Sequence, residues 1–340
     1  MTAEPRRRAE LTAAIGSCSQ GRYQNTDPVA VAVSGGPDSL ALLWLAREAF
    51  GDRVEVLTVD HCLRLGSAGD AAHVARCAAE LNLPHTTLTW AGPTPTGNLQ
   101  AAARAARYRL LADWCAARDV RWLLTAHHAD DQAETLLLRL ARGSGSAGLA
   151  GLRRRRNLGS GVTLLRPLLD WRRSELAGIV AAAGWTALDD PANRATRFDR
   201  TQARALLAET PWLRPERLAA AAAHLAEAEA ALAWTAELAW SSRAAISPSG
   251  IMLDAAGLPH ELQRRMMLRV IATLAPGADL AGPSLERWRR LLLAGRRATL
   301  AGIVGSGRGR KLLEASDSRG AGAPAGQPAS WHFAVARPRR

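Results

Sequence analysis

Lysine is almost missing from this chain. Lys311 is the only one, so nearly all of the 44 basic residues are arginine. A coding bias toward alanine and arginine accounts for that replacement, but not for a net charge of +13. Such a surplus points to a polyanionic partner, because basic side chains on phosphates drive nucleic-acid binding. Cysteine is scarce as well. Cys18, Cys62, Cys77 and Cys115 are scattered with no C-x-x-C pair, which argues against a zinc ribbon, an iron–sulfur site or a dithiol motif. Cys77 lies among Val74, Ala78 and Leu81 at helical spacing and reads as core. No apolar run approaches the ~20 residues needed to span a bilayer, and the start MTAEPRRRAELTAAIGS lacks a secretory apolar region. The expected setting is cytoplasmic, without a membrane partner. No internal repeat is evident, and the eleven tryptophans are too dispersed to form a stacking platform.

What is present suits a globular enzyme. The chain has 340 residues, 48% of them hydrophobic, enough for roughly two domains. Short apolar runs at 29–33, 54–59, 85–90, 120–126 and 162–167 alternate with helical stretches at about 39–50, 68–82, 98–118 and 131–142. That alternation predicts an α/β fold, a parallel five-stranded sheet with helices on both faces. Ligands bind such sheets at the carboxyl ends of the strands. Beyond Pro215 the pattern becomes a long alanine-rich helix over 216–245, a short strand near IMLDAAG and helices over HELQRRMMLRVIATLA and LERWRRLLLAG, a smaller and mainly helical second domain. The expected division is an extension at 1–24, a catalytic domain at 25–214, a helical domain at 215–305, and a tail at 306–340. The segment SDSRGAGAPAGQPAS reads as a flexible loop and WHFAVA as a last strand. The stretch GSGRGRK at 305–311 reads as a glycine-rich hairpin turn.

The first strand runs into SGGPDS, residues 34–39. Gly35 and Gly36 permit positive φ and let backbone N–H groups approach an anion, and the following helix start favours phosphate. Ser34 and Ser39 offer hydroxyl donors, Pro37 suits the first helical turn, and Asp38 is a carboxylate beside them. An ordinary turn capped by Ser34 or Asp38 is the competing reading. The lysine of a Walker loop is absent, and so is G-x-G-x-x-G. At the fourth strand's end, TAHHADDQAET places His127 and His128 before Asp130, Asp131 and Glu134. The i, i+3 spacing puts Asp131 and Glu134 on one helix face. A D-x-x-E capping box is the alternative there.

SGGPDS in this strand–turn–helix setting closely resembles the pyrophosphatase loop (PP-loop) of ATP enzymes that cleave between the α and β phosphates. HHADDQAET with RLARGSGSAGLAGL is similar to the signature of tRNA(Ile)-lysidine synthetases. VDHCLRLGS (59–67), with Cys62 at a usual glycine position, NLQAAARAARYRLL (98–111), RPLL (166–169), DDPANRATRFDRTQAR (189–204) and LPHELQRRMMLR (258–269) resemble its other blocks. Thr201 stands where the family usually has Asn, and Ala203 where it has an aliphatic residue. The likeness covers residues ~25 to ~305, and longer members carry a third domain.

That resemblance implies ATP as co-substrate with Mg²⁺, and free L-lysine and a CAU-anticodon tRNA(Ile) as the other partners, a homodimer being left open. It implies ligation of lysine to C2 of the wobble cytidine through an adenylated base. The alternative is a PP-loop tRNA thiolase or another base-adenylating enzyme. By the same likeness, Ser34, Gly35, Gly36, Pro37, Asp38, Ser39, His61, Arg64 and Arg107 line the ATP site. Asp38, Arg104, His127, Asp131 and Glu134 carry the chemistry, with Asp38 and Asp131 toward the metal. His127, if protonated, would stabilise the pentacovalent state. Metal ligation and base work are not separable at Asp131 and Glu134. Arg142, Gly143, Gly145, Arg200 and Arg204 face the tRNA. A flexible glycine loop with Arg153–Arg156, and the basic RWRRLLLAGRR at 287–297, are further expected RNA contacts.

Overall fold

A computed structural model describes residues 4–63, 66–90, 99–188, 199–278, 282–308 and 330–336. The chain forms two compact units, residues 1–227 and 228–340.

The first unit is built on strands β1 (Val29–Ala32), β2 (Val54–Asp60), β3 (His85–Thr89), β4 (Trp122–Leu124), β5 (Arg155–Gly159) and β6 (Val162–Leu165) in the order β3-β2-β1-β4-β6-β5. The first five neighbours run parallel; β5 pairs antiparallel with β6. The sheet thus has six strands rather than five. β5 escaped the sequence reading because it is an edge strand written in arginines, RRNLG, without an apolar alternation. β1 shows why a two-faced sheet forms. Val29, Val31 and Val33 join the core on one face, with α1 (Glu4–Cys18), α2 (Pro37–Phe50), α3 (Ser67–Glu80) and α7 (Arg173–Ala182). Ala30 and Ala32 join the core on the other, under α4 (Leu99–Ala116). The period of two in VAVAV sets this division. Cys77 lies in the first core, as its spacing predicts. So do Leu11 and Ile15 of α1, both fully buried. α5 (Ala129–Ala141), the single turn α6 (Ser146–Leu149) and α8 (Asp199–Glu209) complete the frame around the strand ends.

Helix α9 (Pro215–Arg243) contains the division between the units. The second unit holds α10 (His260–Leu274), α11 (Gly282–Leu293) and an antiparallel sheet of β7 (Ala244–Ser247), β8 (Gly250–Asp254), β9 (Ala298–Leu300), β10 (Ile303–Arg308) and β11 (Ser330–Val335) in the order β7-β8-β11-β10-β9. The helices thus pack on a five-stranded sheet through Trp288, Trp331 and Phe333. GSGR, from the stretch read as a hairpin turn, instead ends the strand β10, which pairs with β11 along its length and with β9 over Ile303–Gly305; residues 309–311 lie outside the described residues. Its glycine is needed: a Cβ on Gly305 would stand 2.9 Å from the Trp288 ring. The expected loop at 316–329 lies outside the described residues. In α11, Trp288 is buried, and Arg289 bonds Glu286 and Gln263 rather than standing free.

Candidate functional site

The turn after β1 is held open by its own small residues. Gly35 has φ +84, a conformation that L side chains rarely adopt, and its carbonyl accepts from Leu188 N–H at 2.9 Å. Gly36 is the N-cap of α2 and Pro37 its first residue, so neither Ser34 nor Asp38 caps the helix. The buried Ser39 hydroxyl donates to Gly36 O at 2.9 Å and accepts from Ser34 N–H at 3.1 Å. Ser39 therefore shapes the loop, while Ser34 stays exposed. None of the described hydrogen bonds uses the N–H of Gly35, Gly36 or Asp38. Those amides sit at the positive end of a fourteen-residue helix, an arrangement suited to phosphate.

Two adjacent histidines divide the site. Past the end of β4, successive side chains continue to point to opposite faces. His128 is fully buried and faces carboxylates: Nε2 is 3.3 Å from Asp38 Oδ2 and 3.6 Å from Asp131 Oδ2, and Nδ1 is 3.5 Å from Asp130 Oδ2. Burial alone would lower its pKa; Asp130, Asp38 and Asp131 outweigh this and raise it to about 9. Asp131 also accepts from the His128 N–H at 3.2 Å, so the helix start is secured by a His128–Asp131 pair instead of a box between Asp131 and Glu134. Asp130 receives Arg173 N–H at 2.9 Å and Arg172 Nε at 3.2 Å. Against the cost of burial, these donors and His128 hold its carboxyl well below the usual carboxylate range. Arg172 continues to Glu216. Glu134, 1% exposed, takes Arg204 Nε at 2.6 Å and Arg173 at 3.3 Å. Arg204, expected to touch RNA, thus pairs with a buried carboxylate.

His127 faces guanidinium groups. Its Nδ1 lies 3.1 Å from Thr125 Oγ1. Burial and then Arg166, Arg107, Arg104 and Arg200 push its pKa well below the ordinary value. In the ligand-free protein these surroundings favour the neutral ring, so the protonated form on which the sequence reading made its role conditional is disfavoured. His61, near Arg107, is likewise lowered by burial and by that charge. Its Nδ1 is buried without a partner, and its ring meets Trp90 edge-on at 5.8 Å. Burial also lowers Arg107, reinforced by Arg104. Cys62, the residue at a glycine position, has φ +52 and donates its N–H to Asp60 at 2.8 Å, which explains the preference for glycine there. Arg64 lies outside the described residues.

The loop after α5 is pinned rather than flexible. Arg139 donates to Gly148 O at 2.5 Å and Gly151 O at 3.0 Å, and Gln132 bonds both the N–H and the C=O of Leu152. Arg142, Gly143 and Gly145 remain on its surface. Sequence reasoning did not single out Arg166, Tyr108, Arg172 or Arg173. An arginine closing a buried apolar strand, VTLLRP, was the available signal for Arg166.

A PP-loop domain family matches residues 6–210. The chain is 42% identical to the tRNA(Ile)-lysidine synthase of Zymomonas mobilis, over 82% of this chain and 85% of that protein. It is 44% identical to that of Novosphingobium aromaticivorans, over 84% and 89%. Against that of a Methylobacterium species it is 49% identical, over 73% and 74%. Among solved structures, the U34-tRNA thiolase NcsA from Methanococcus maripaludis aligns with a TM-score of 0.54 at 15% identity, covering 66% of this chain and 79% of that one. That likeness is one of fold.

Proposed function

The chain belongs to the tRNA(Ile)-lysidine synthases, ATP-dependent ligases with a PP-loop domain, and from this membership we propose how its two-sided site works. The reaction joins lysine to C2 of the wobble cytidine in the CAU anticodon of tRNA(Ile). The C2 carbonyl oxygen attacks the α-phosphorus of ATP and diphosphate leaves. The lysine amine then displaces AMP from C2. Adenylation is needed because an oxo group leaves badly and AMP leaves well.

The observation that carries this reading is the opposite surroundings of His127 and His128, one among arginines and the other among carboxylates. The amides of Gly35 and Gly36, free of described hydrogen bonds, receive the phosphates of ATP, and the arginine side receives the developing charge on phosphorus. Neutral His127 contributes a hydrogen bond, and Arg104 and Arg107 contribute charge. The acidic side receives the cations. Asp131 faces the lysine ammonium, where only the neutral amine attacks. Glu134, fixed by Arg204 and Arg173, positions those groups rather than taking the proton itself. A target base reaches the site because an anticodon-loop base can be splayed out of its stack. Arg142, Gly143, Gly145 and Arg200 lie on the RNA side in this reading.

The residues present suit Mg²⁺. Asp38 Oδ1 is buried without a partner, and Asp38 and Asp131 approach the same histidine nitrogen. Among the described residues no group of three or more His, Cys, Asp or Glu is arranged for a metal. Few protein ligands is the habit of an ion that keeps waters and phosphate oxygens. Bound by Asp38 and Asp131, it would supply charge neutralisation at the phosphates. Among the described residues no helix is long and apolar enough to cross a membrane, and the proposed setting is the cytoplasm. Sulfur transfer is disfavoured: Cys18, Cys77 and Cys115 are buried, and desolvation and Asp60 raise the exposed Cys62 thiol.

The decisive assay incubates the protein with ATP, labelled lysine and CAU-anticodon tRNA(Ile), then weighs the modified nucleoside. Lysine mass on cytidine with one AMP per product is expected. AMP without lysine mass would refute the assignment.

A further inference from the structure

The four arginines of the run 153–156 have different surroundings. Arg154 pairs with Asp170 at 2.6 Å, and Arg155 donates to Gln20 Oε1 at 2.7 Å. The carbonyl of Arg153 accepts from Arg166 at 2.5 Å. Arg156 differs from Arg154 and Arg155 in its side-chain partners, and from Arg153 in standing over an aromatic ring. Exposed on the edge strand β5, it has no carboxylate or amide partner among the described residues, and its guanidinium stands over the Tyr108 ring, 5.5 Å from the centroid. Arg104 reaches the same ring from α4, at 5.2 Å.

Behind this pair lies Arg166, 3% exposed, whose Nε is buried without a partner. Its charge bears on Arg104, Arg156 and the Tyr108 hydroxyl together. The tyrosine, whose ionisation burial opposes, is nonetheless shifted down by Arg104, Arg107 and Arg166. No carboxylate is paired with Arg104, Arg107, Arg156 or Arg166 among the described residues. Guanidinium groups gathered this closely repel one another unless an anion joins them. The aromatic face orients the planar heads while leaving their N–H groups outward for a bidentate acceptor.

We propose that Arg156, braced beside Arg104 on the Tyr108 ring with Arg166 behind it, cradles a backbone phosphate of the tRNA beside the target cytidine. The other phosphate source would be the triphosphate of ATP. Strand order argues against it: β5 lies three strands from β1, about 14 Å at ordinary strand spacing. Arg156 therefore stands far from amides at the start of α2, while an anticodon loop entering at His127 passes the β5 edge. The cradle rests on the tRNA reading given above and specifies which arginine of the run serves it.

The test measures binding of tRNA(Ile) to the full chain by filter retention across salt concentrations, with steady-state kinetics in parallel. Arg156→Ala should weaken tRNA binding about five- to tenfold near 0.1 M salt and shrink the salt slope by about 0.7, the loss of one single-strand phosphate contact. Arg156→Lys should recover part of the affinity. The ATP KM and the rate at saturating tRNA should stay within about twofold of wild type. Unchanged tRNA affinity and slope in Arg156→Glu would overturn the cradle, as would a raised ATP KM with tRNA binding intact, which would hand the phosphate to the nucleotide. If lysidine forms while Arg156 variants bind normally, the cradle alone falls. If Arg156 governs tRNA binding yet no lysidine forms, the ligase reading falls and the cradle stands.

Discussion

Two neighbouring residues of one type meet opposite electrostatics here. His127, among arginines, is neutral; His128, among Asp38, Asp130 and Asp131, holds its proton to about pH 9. The pair itself is legible in the sequence, and strand alternation tells that the two rings part. Their charges are only partly legible: Asp130 and Asp131 stand beside His128 in the chain, but the other deciding groups, residues 38, 104, 107, 166 and 200, come from three helices and the turn after β6. A stability signature follows from the raised value. The folded pKa of His128 lies above the unfolded one, ~6.5, so its stabilisation is complete below pH ~6 and is lost as pH rises through 9. In ligand-free, metal-free protein, the difference in urea unfolding free energy between wild type and His128→Gln should fall by roughly 2–3 kcal/mol between pH 6 and 10. A difference constant across that range would show that the proton is not held there.

At the scale of elements, most of unit one was readable. VAVAV announces a strand buried on both faces, and glycines at 35 and 36 announce the phosphate turn. Cys62 at φ +52 shows that a glycine position can survive substitution when Asp60 secures the loop. β5 was unreadable because an edge strand need not be apolar, and the glycines of β10 mimic a turn. Gly35 is the turn's least replaceable residue. A Cβ there would collide with Leu188, which also donates its N–H to the Gly35 carbonyl, and φ +84 would be strained by about 1–2 kcal/mol. Gly35→Ala should therefore raise the ATP KM about tenfold while tRNA affinity holds, measured by ATP titration at saturating lysine and tRNA. Adding Leu188→Ala removes the collision but not the dihedral strain, so recovery should be partial. Full recovery would make the side-chain clash the whole cause.

For the whole molecule, the +13 charge and the division into two units bear on how RNA is held. All the proposed catalytic groups lie in unit one. Unit two has its own core around Trp288, Trp331 and Phe333 and its own buried ion pair, in which Arg265 Nη2 donates to both Glu229 oxygens at 2.7 Å. Its weak point is Gly250, at φ +134, where a Cβ would run into the backbone carbonyl of Phe333 on the adjacent strand. Backbone on both sides of a sheet cannot step aside as a flexible side chain can, so Gly250→Ala should destabilise unit two by several kcal/mol. If unit two grips the tRNA body and unit one alone performs the chemistry, this variant separates the two. Its ATP KM, and its rate with a CAU anticodon stem-loop at saturation, should stay within about twofold, while the KM for full-length tRNA rises at least tenfold. An equal loss on stem-loop and full-length RNA would place unit two in the chemistry and remove that division of labour.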